Sequence, residues 1–288
     1  MWTRFDPTAV NRDFARIRGL GANTVRIIIQ PMVFGYPRVR PVMADRLSKM
    51  IGLAAKHSLR VQLTLFDWWS RYTDIQGSKE WVSSLLARYR GDPRIAVVEL
   101  HNELTPQDHK AVAWVRAMLP YLSTIMPGTL RTVSTPTMRP DDFALFTNEL
   151  KNSQPDFWDY HYYGPAAHAY SVLSSIKALA APRPLFVGET GYSTDRMPGA
   201  QTAQEQAQAS YYRAVFTAAA ALRLPAPAPW TLYDFFPGAI PPQSPAAHKP
   251  AEYGFGLFRP NGTAKPAAAV VSRAFSRSDR LQGRSRHG

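Results

Sequence analysis

Residues 95–103 read Ile95-Ala96-Val97-Val98-Glu99-Leu100-His101-Asn102-Glu103. The first six, Glu99 apart, are apolar and rich in β-branched residues, the length of a buried strand, and polar groups follow. Helical periodicity precedes it over about 79–90 and follows it over about 110–124. A strand flanked in this way is the repeating unit of a parallel sheet with crossover helices.

The same rhythm extends in both directions. Upstream, a helix opens at Asp6-Pro7 and closes at Gly19-Leu20-Gly21, and a strand over 23–29 is stopped by Pro31. A helix over 44–57 then leads into a strand over 60–66. Downstream, Pro127-Gly128 ends a helix ahead of a strand over 130–134. A short helix (141–150) and a strand (157–163) follow, then a helix (169–180) and a strand (184–187). A long Ala-rich helix (201–222), a strand (229–233) and a closing helix (264–275) complete the pattern.

The expected fold is therefore α/β, a (β/α)8 barrel of TIM type with about seven strands visible. The first β-strand, expected ahead of the first helix, is missing or truncated at the N-terminus. Three readings stay open: a start set too late, an incomplete barrel, or another segment that fills the gap. The expected organisation is a single catalytic domain over 1–275 and a basic, disordered tail over 276–288.

Composition bounds the function. The chain has 288 residues, 45% hydrophobic and 19% charged, which is ordinary for a protein with a sizeable core and excludes disorder throughout. The net charge of +13 comes from scattered arginines and a cluster at Arg273, Arg277, Arg280, Arg284 and Arg286. No nucleic-acid-binding motif accompanies it, so a solvated basic tail is expected rather than a nucleic-acid partner. Cysteine is absent, which removes disulfides and thiolate metal sites. No signal peptide is visible in the chain as written, consistent with a cytoplasmic protein, or with a secreted one if the true N-terminus lies upstream. No apolar stretch is long enough to span a membrane. The sequence says nothing of oligomeric state.

In such barrels functional groups collect at the C-terminal ends of the strands. Two ends carry carboxylates there: Glu99 and Glu103 after the strand at 95–100, and Glu189 in Leu185-Phe186-Val187-Gly188-Glu189-Thr190-Gly191. Strand parity puts Glu103 in phase with Val97 and Glu99, and Glu189 in phase with Leu185 and Val187, so both carboxylates are expected over the barrel mouth. Retaining glycoside cleavage uses such a pair, one attacking the anomeric carbon and one protonating the leaving oxygen, about 5–5.5 Å apart. Glu99, a layer below, is expected to pair with a cation inside the barrel, for which Arg26 is a candidate.

These segments resemble clan A glycoside hydrolases, especially family 5, the cellulase and mannanase family. The stretch Glu99-Leu100-His101-Asn102-Glu103 is similar to that family's fourth-strand motif, implying Glu103 as acid/base and Asn102 as the residue binding the sugar 2-hydroxyl. Phe186 to Gly191 resembles the seventh strand, implying Glu189 as nucleophile. Gly21 to Arg26 resembles the second strand, whose Arg supports the nucleophile. His161-Tyr162-Tyr163 is similar to the sixth-strand motif, in which the Tyr, here Tyr163, hydrogen-bonds the nucleophile, and His161 joins the binding set. Pro229 to Asp234 resembles the eighth strand, implying Trp230 as the floor of the −1 subsite. The matches fall in order across about 5–275. Leu104 stands where the family usually has Pro, and the third strand ends Phe66-Asp67-Trp68-Trp69 where the family commonly has a His.

The resemblance implies cleavage of β-linked glucan or mannan with retention, or a catalytically degenerate barrel that binds carbohydrate without cleaving it. An oligo- or polysaccharide is the expected partner. Trp68, Trp69 and Tyr72 are candidate sugar platforms, or they pack their loop onto the barrel. His101 and His109 lack the spaced ligand set that zinc needs, so no metal and no cofactor are expected. The Pro-rich run over 237–250 walls the cleft or is a stiff surface excursion.

Overall fold

The first helix begins as its sequence dictates. Asp6 is extended at the N-cap, where its carboxylate accepts the amides of Thr8 (2.8 Å) and Ala9 (3.2 Å). Pro7 takes the first helical position, where no N–H is required. A computed structural model of the chain describes residues 2–196, 200–240, 242 and 244–284.

From α1 (Pro7–Gly19) the chain enters β1 (Thr24–Ile28), then α2 (Pro31–Phe34), α3 (Pro41–Lys56) and β2 (Arg60–Thr64). The middle of the chain forms α4 (Ile75–Leu86), β3 (Ile95–Glu99), α5 (His109–Ile125), β4 (Leu130–Thr132), β5 (Ser134–Thr135) and α6 (Pro140–Glu149). It ends with β6 (Trp158–Tyr162), α7 (Ala169–Ala180), β7 (Leu185–Thr190), α8 (Gln201–Ala221) and α9 (Pro266–Arg284). The architecture is α/β, and the strand pairings resolved in register are parallel. No helix among the described residues is long and apolar enough to cross a membrane.

The chain divides into two compact units, Met1–Asp159 with Ile176–Leu185, and Tyr160–Ser175 with Phe186–Gly288. The first contains a parallel sheet in the order β1-β2-β3-β4. Its two central strands are largely buried: Val61, Leu63 and Val98 are fully covered, as are Leu47 and Ile51 of α3 and Trp114 of α5. Register puts Arg26 beside Gln62 and Thr64 beside Glu99, which aligns polar side chains of three neighbouring strands. A second sheet has the order β5-β6-β7. In the second unit α8 packs on α9, with Tyr212, Val215 and Ala219 of α8 and Val271 of α9 buried.

Three expectations need correction. The strand expected over 130–134 is two strands, β4 and β5, which belong to different sheets. The segment 229–233 forms isolated bridges and not a strand. Pro225, Pro227 and Pro229 alternate there and offer no N–H, so the run along β7 is reduced to Ala228 N–H to Val187 O (2.9 Å), Thr190 N–H to Ala228 O (3.0 Å) and Trp230 N–H to Thr190 O (2.7 Å). The closing helix does not stop at Phe275. Residues 276–284, expected as disordered tail, continue α9, in keeping with the helix propensity of Arg and the absence of proline after Pro266. Residues 285–288 of that expected tail lie outside the described residues. The first described strand, β1, follows α1.

Candidate active site

Glu99 organises the polar centre of the first unit. It is fully buried, so its charge must be matched and its lone pairs filled. Arg26 supplies a fork, Nε to Oε2 at 2.7 Å and Nη2 to Oε1 at 2.8 Å. Thr64 Oγ1 (2.6 Å) and Gln62 Nε2 (3.0 Å) also donate to Oε2. The expected pairing of Glu99 with Arg26 is what the strands build.

Arg26 also fixes Asn102. Its Nη2 donates to Asn102 Oδ1 at 2.7 Å. A guanidinium only donates, so the amide oxygen must face Arg26 and the NH2 is left to face elsewhere as a donor.

Glu103 is exposed and lies beyond β3, with φ at +54°. The strand phase inferred for it from Val97 and Glu99 therefore does not reach it, because the backbone has turned into the left-handed region. Its amide donates to Ser134 Oγ (2.9 Å), and the next amide, of Leu104, donates to Ser134 O (2.9 Å), so β5 holds the turn from both sides. Non-glycine residues in this conformation persist where the surroundings over-determine them, as at ligand and catalytic sites.

His101 is buried in the same turn. Its Nδ1 lies 2.7 Å from Asn102 O and its Nε2 lies 3.0 Å from the Tyr72 hydroxyl. A carbonyl can only accept, so the contact with Asn102 O calls for a proton on Nδ1, while Nε2 lies near both the Tyr72 hydroxyl and, at 3.3 Å, Trp69 O. Burial holds the His101 pKa below the ordinary histidine value, against the pull of the Trp69 and Asn102 carbonyls. Burial, with the charge of Asp108, pushes Tyr72 up to about 12.

The two tryptophans of this loop divide. Trp68 has φ +58° and is 59% exposed, as a stacking platform would be. Trp69 is 4% exposed and packs against Tyr36 (ring centroids 4.4 Å) and Phe66 (5.5 Å). Trp69 packs its loop onto the core, the second of the two readings open for it, and the left-handed backbone at Trp68 accompanies the exposure of the neighbouring ring.

In the second unit, Glu189 lies on β7 with a largely covered side chain. The Tyr163 hydroxyl donates to its Oε1 at 2.5 Å. Nδ1 of the fully buried His161 lies 3.6 Å from Oε2, beyond hydrogen-bond distance. Trp230 follows Glu189 in space. Its N–H donates to Thr190 O (2.7 Å), and its carbonyl accepts the hydroxyl of the buried Tyr212 at 3.1 Å. Gly191 is required there, since a Cβ would lie 2.5 Å from Trp230 O.

The structure thus gathers Arg26, Glu99 and Asn102 in the first unit, with Glu103 next in the chain, and His161, Tyr163, Glu189 and Trp230 in the second. Sequence reasoning missed Ser134, Gln208, Tyr212 and Lys265. The signal for two of them is present: Gln208 and Tyr212 occupy the buried stripe of an otherwise alanine-rich helix, where polar groups need a purpose.

No protein-family model and no curated protein matches this chain. Solved structures do. A variant of GH5_18 from Streptomyces cattleya, in complex with Manβ1-4GlcNAc, is 22% identical with a TM-score of 0.75, covering 96% of this chain and 76% of that one. A GH5_18 from Bifidobacterium longum subsp. infantis is 18% identical with a TM-score of 0.76, covering 96% and 75%. An exo-β-1,4-mannosidase from Opitutaceae bacterium strain TAV5 is 19% identical with a TM-score of 0.77, covering 97% and 57%. The likeness is one of fold, and the fold is that of family 5 glycoside hydrolases, the family the sequence motifs resemble.

Proposed function

We propose that the chain is a retaining β-glycoside hydrolase of the (β/α)8-barrel type that cleaves β-mannosyl linkages in short oligosaccharides. The observation that carries the reading is the hold on Glu189: a strand-borne carboxylate with its Oε1 capped by the Tyr163 hydroxyl at 2.5 Å. The donor fixes the direction of the carboxylate, as attack on an anomeric carbon requires. The barrel architecture is supported by the fold shared with GH5_18 and with the exo-β-1,4-mannosidase. The substrate class is supported by the same two proteins, one in complex with Manβ1-4GlcNAc and the other named for its β-1,4-mannosidase activity.

In this mechanism a carboxylate oxygen of Glu189 attacks the anomeric carbon as the glycosidic C–O bond breaks, and Glu103 gives its proton to the departing oxygen. A water then attacks the glycosyl-enzyme, Glu103 takes the water's proton, and Glu189 leaves as carboxylate. The NH2 of Asn102, turned outward by Arg26, donates to the sugar 2-hydroxyl, a bond that strengthens in the oxocarbenium-like transition state. Trp230 floors the −1 subsite and Trp68 offers an exposed ring to a further sugar.

Hydrolysis of an aryl β-mannoside and of Manβ1-4GlcNAc, read by proton NMR for the first anomer formed, tests the proposal. The β-anomer should appear first, and Glu189→Ala should lower the rate by at least about 10³-fold. Sugar binding without cleavage, from folded protein, would favour the non-catalytic carbohydrate-binding barrel instead.

A further inference from the structure

Lys265 precedes the last helix and is 2% exposed. Its ammonium is saturated by three acceptors from three segments: Asp234 Oδ1 at 2.7 Å, Thr194 Oγ1 at 3.2 Å and Gly254 O at 3.2 Å. Asp234 Oδ1 also accepts the amide of Gly256 at 2.8 Å. The segments so joined are in close contact. A Cβ on Gly254 would lie 2.7 Å from Ser193 Oγ, and one on Gly256 would lie 2.0 Å from the Asp234 nitrogen. From the other side the buried Gln208 directs its Nε2 at Tyr192 O (2.8 Å), Phe255 O (3.3 Å) and Gly256 O (3.3 Å).

Phe255, between these two glycines, is what the clamp holds. Its ring meets Tyr163 edge-on, with centroids 5.7 Å apart and planes at 79°. Phe255 Cδ1 would also lie 2.9 Å from a Cβ on Gly191, two residues after Glu189. Phe255 therefore touches the ring that donates to Glu189 and approaches the backbone that follows Glu189. Stability alone does not call for an ammonium at position 265, because an apolar side chain of similar volume often serves a buried ion-pair site as well. An apolar side chain has no means of fixing acceptors from three segments in one geometry.

We infer that Lys265 is a positioning residue for Glu189: by clamping Thr194, Asp234 and Gly254 it seats Phe255 against Tyr163 and so aims the Tyr163 hydroxyl at the carboxylate. The inference rests on the reading of Glu189 as nucleophile.

The test is Lys265→Met in the full chain, assayed on an aryl β-mannoside. Expected are a fall in kcat on the order of 10-fold or more and a change in KM below about 3-fold. A lower Tm with kcat unchanged would mean a structural staple and overturn the inference. If Lys265→Met does not fold, Phe255→Leu carries the same test without touching the ion pair: the same fall in kcat supports the inference, and an unchanged kcat overturns it. If the parent protein cleaves nothing, the glycosidase reading has failed, and a crystal structure of whichever of these variants folds decides the positional claim on its own. A Tyr163 hydroxyl displaced from Glu189 supports the claim, and one still within hydrogen-bond distance refutes it.

Discussion

Tyr163 directly follows β6 and Glu189 lies on β7, and the hydroxyl of the first donates a 2.5 Å hydrogen bond to the carboxylate of the second. The bond fixes the direction of the carboxylate. Tyr163→Phe keeps the ring on Phe255 and removes the donor. It should lower kcat/KM roughly 10²-fold, with Tm nearly unchanged. Steady-state kinetics beside a thermal melt would check both parts; an unchanged kcat/KM would refute the role given to Tyr163.

The fork between Arg26 and Glu99 makes a different prediction. Both side chains are largely or wholly buried, so removing one partner leaves the other's charge uncompensated. Arg26→Met should cost about 3–5 kcal/mol in urea unfolding. The double change Arg26→Met with Glu99→Leu should cost less than the single one, since no charge is stranded. A double variant less stable than Arg26→Met would contradict this account of the cluster.

Trp68 and Trp69 should separate cleanly. Trp68→Ala, at an exposed position, should leave stability within about 0.5 kcal/mol of the parent. It should raise KM roughly 3- to 10-fold if the ring stacks on sugar. Trp69→Ala empties a packed site and should cost about 3–5 kcal/mol. Chemical denaturation and KM for the two variants read both effects, and an unmoved KM for Trp68→Ala would remove it from the substrate's path.

His101 predicts a pH dependence of stability. Its folded pKa is depressed by burial, so the folded state resists a proton that the unfolded chain accepts below about 6.5. The neutral-ring stability is complete above that value and is lost as pH falls from it toward the lower folded pKa, by at most about 1.4 kcal/mol per pH unit. Urea midpoints at about pH 7.5 and about pH 5 should therefore differ more for the parent than for His101→Gln. Equal differences would show that His101 does not carry the effect.

How much was legible follows from where each signal resides. The β/α rhythm and the strand-end carboxylates are local patterns, and the Arg26–Glu99 pair could be anticipated because strand parity and charge both pointed inward. The backbone turn at Glu103 is set by Ser134, more than 30 residues away in sequence, so periodicity within 95–103 could not report it. The inward Trp69 and the outward Trp68 are chemically alike, and only packing distinguishes them. The segment at 229–233 has strand-like composition, but its prolines confine it to a few bonds with β7. The Lys265 clamp draws on residues 194, 234 and 254, none of which is distinctive alone.

The most direct test of the central claim is to trap the glycosyl-enzyme. Incubation with a 2-deoxy-2-fluoro-β-mannosyl fluoride, followed by peptide mass spectrometry, asks which side chain becomes glycosylated. One 2-fluoromannosyl group is expected on the peptide bearing Glu189, and none in Glu189→Ala. A label on another residue, or turnover of the natural linkage with no covalent species trapped, would contradict it.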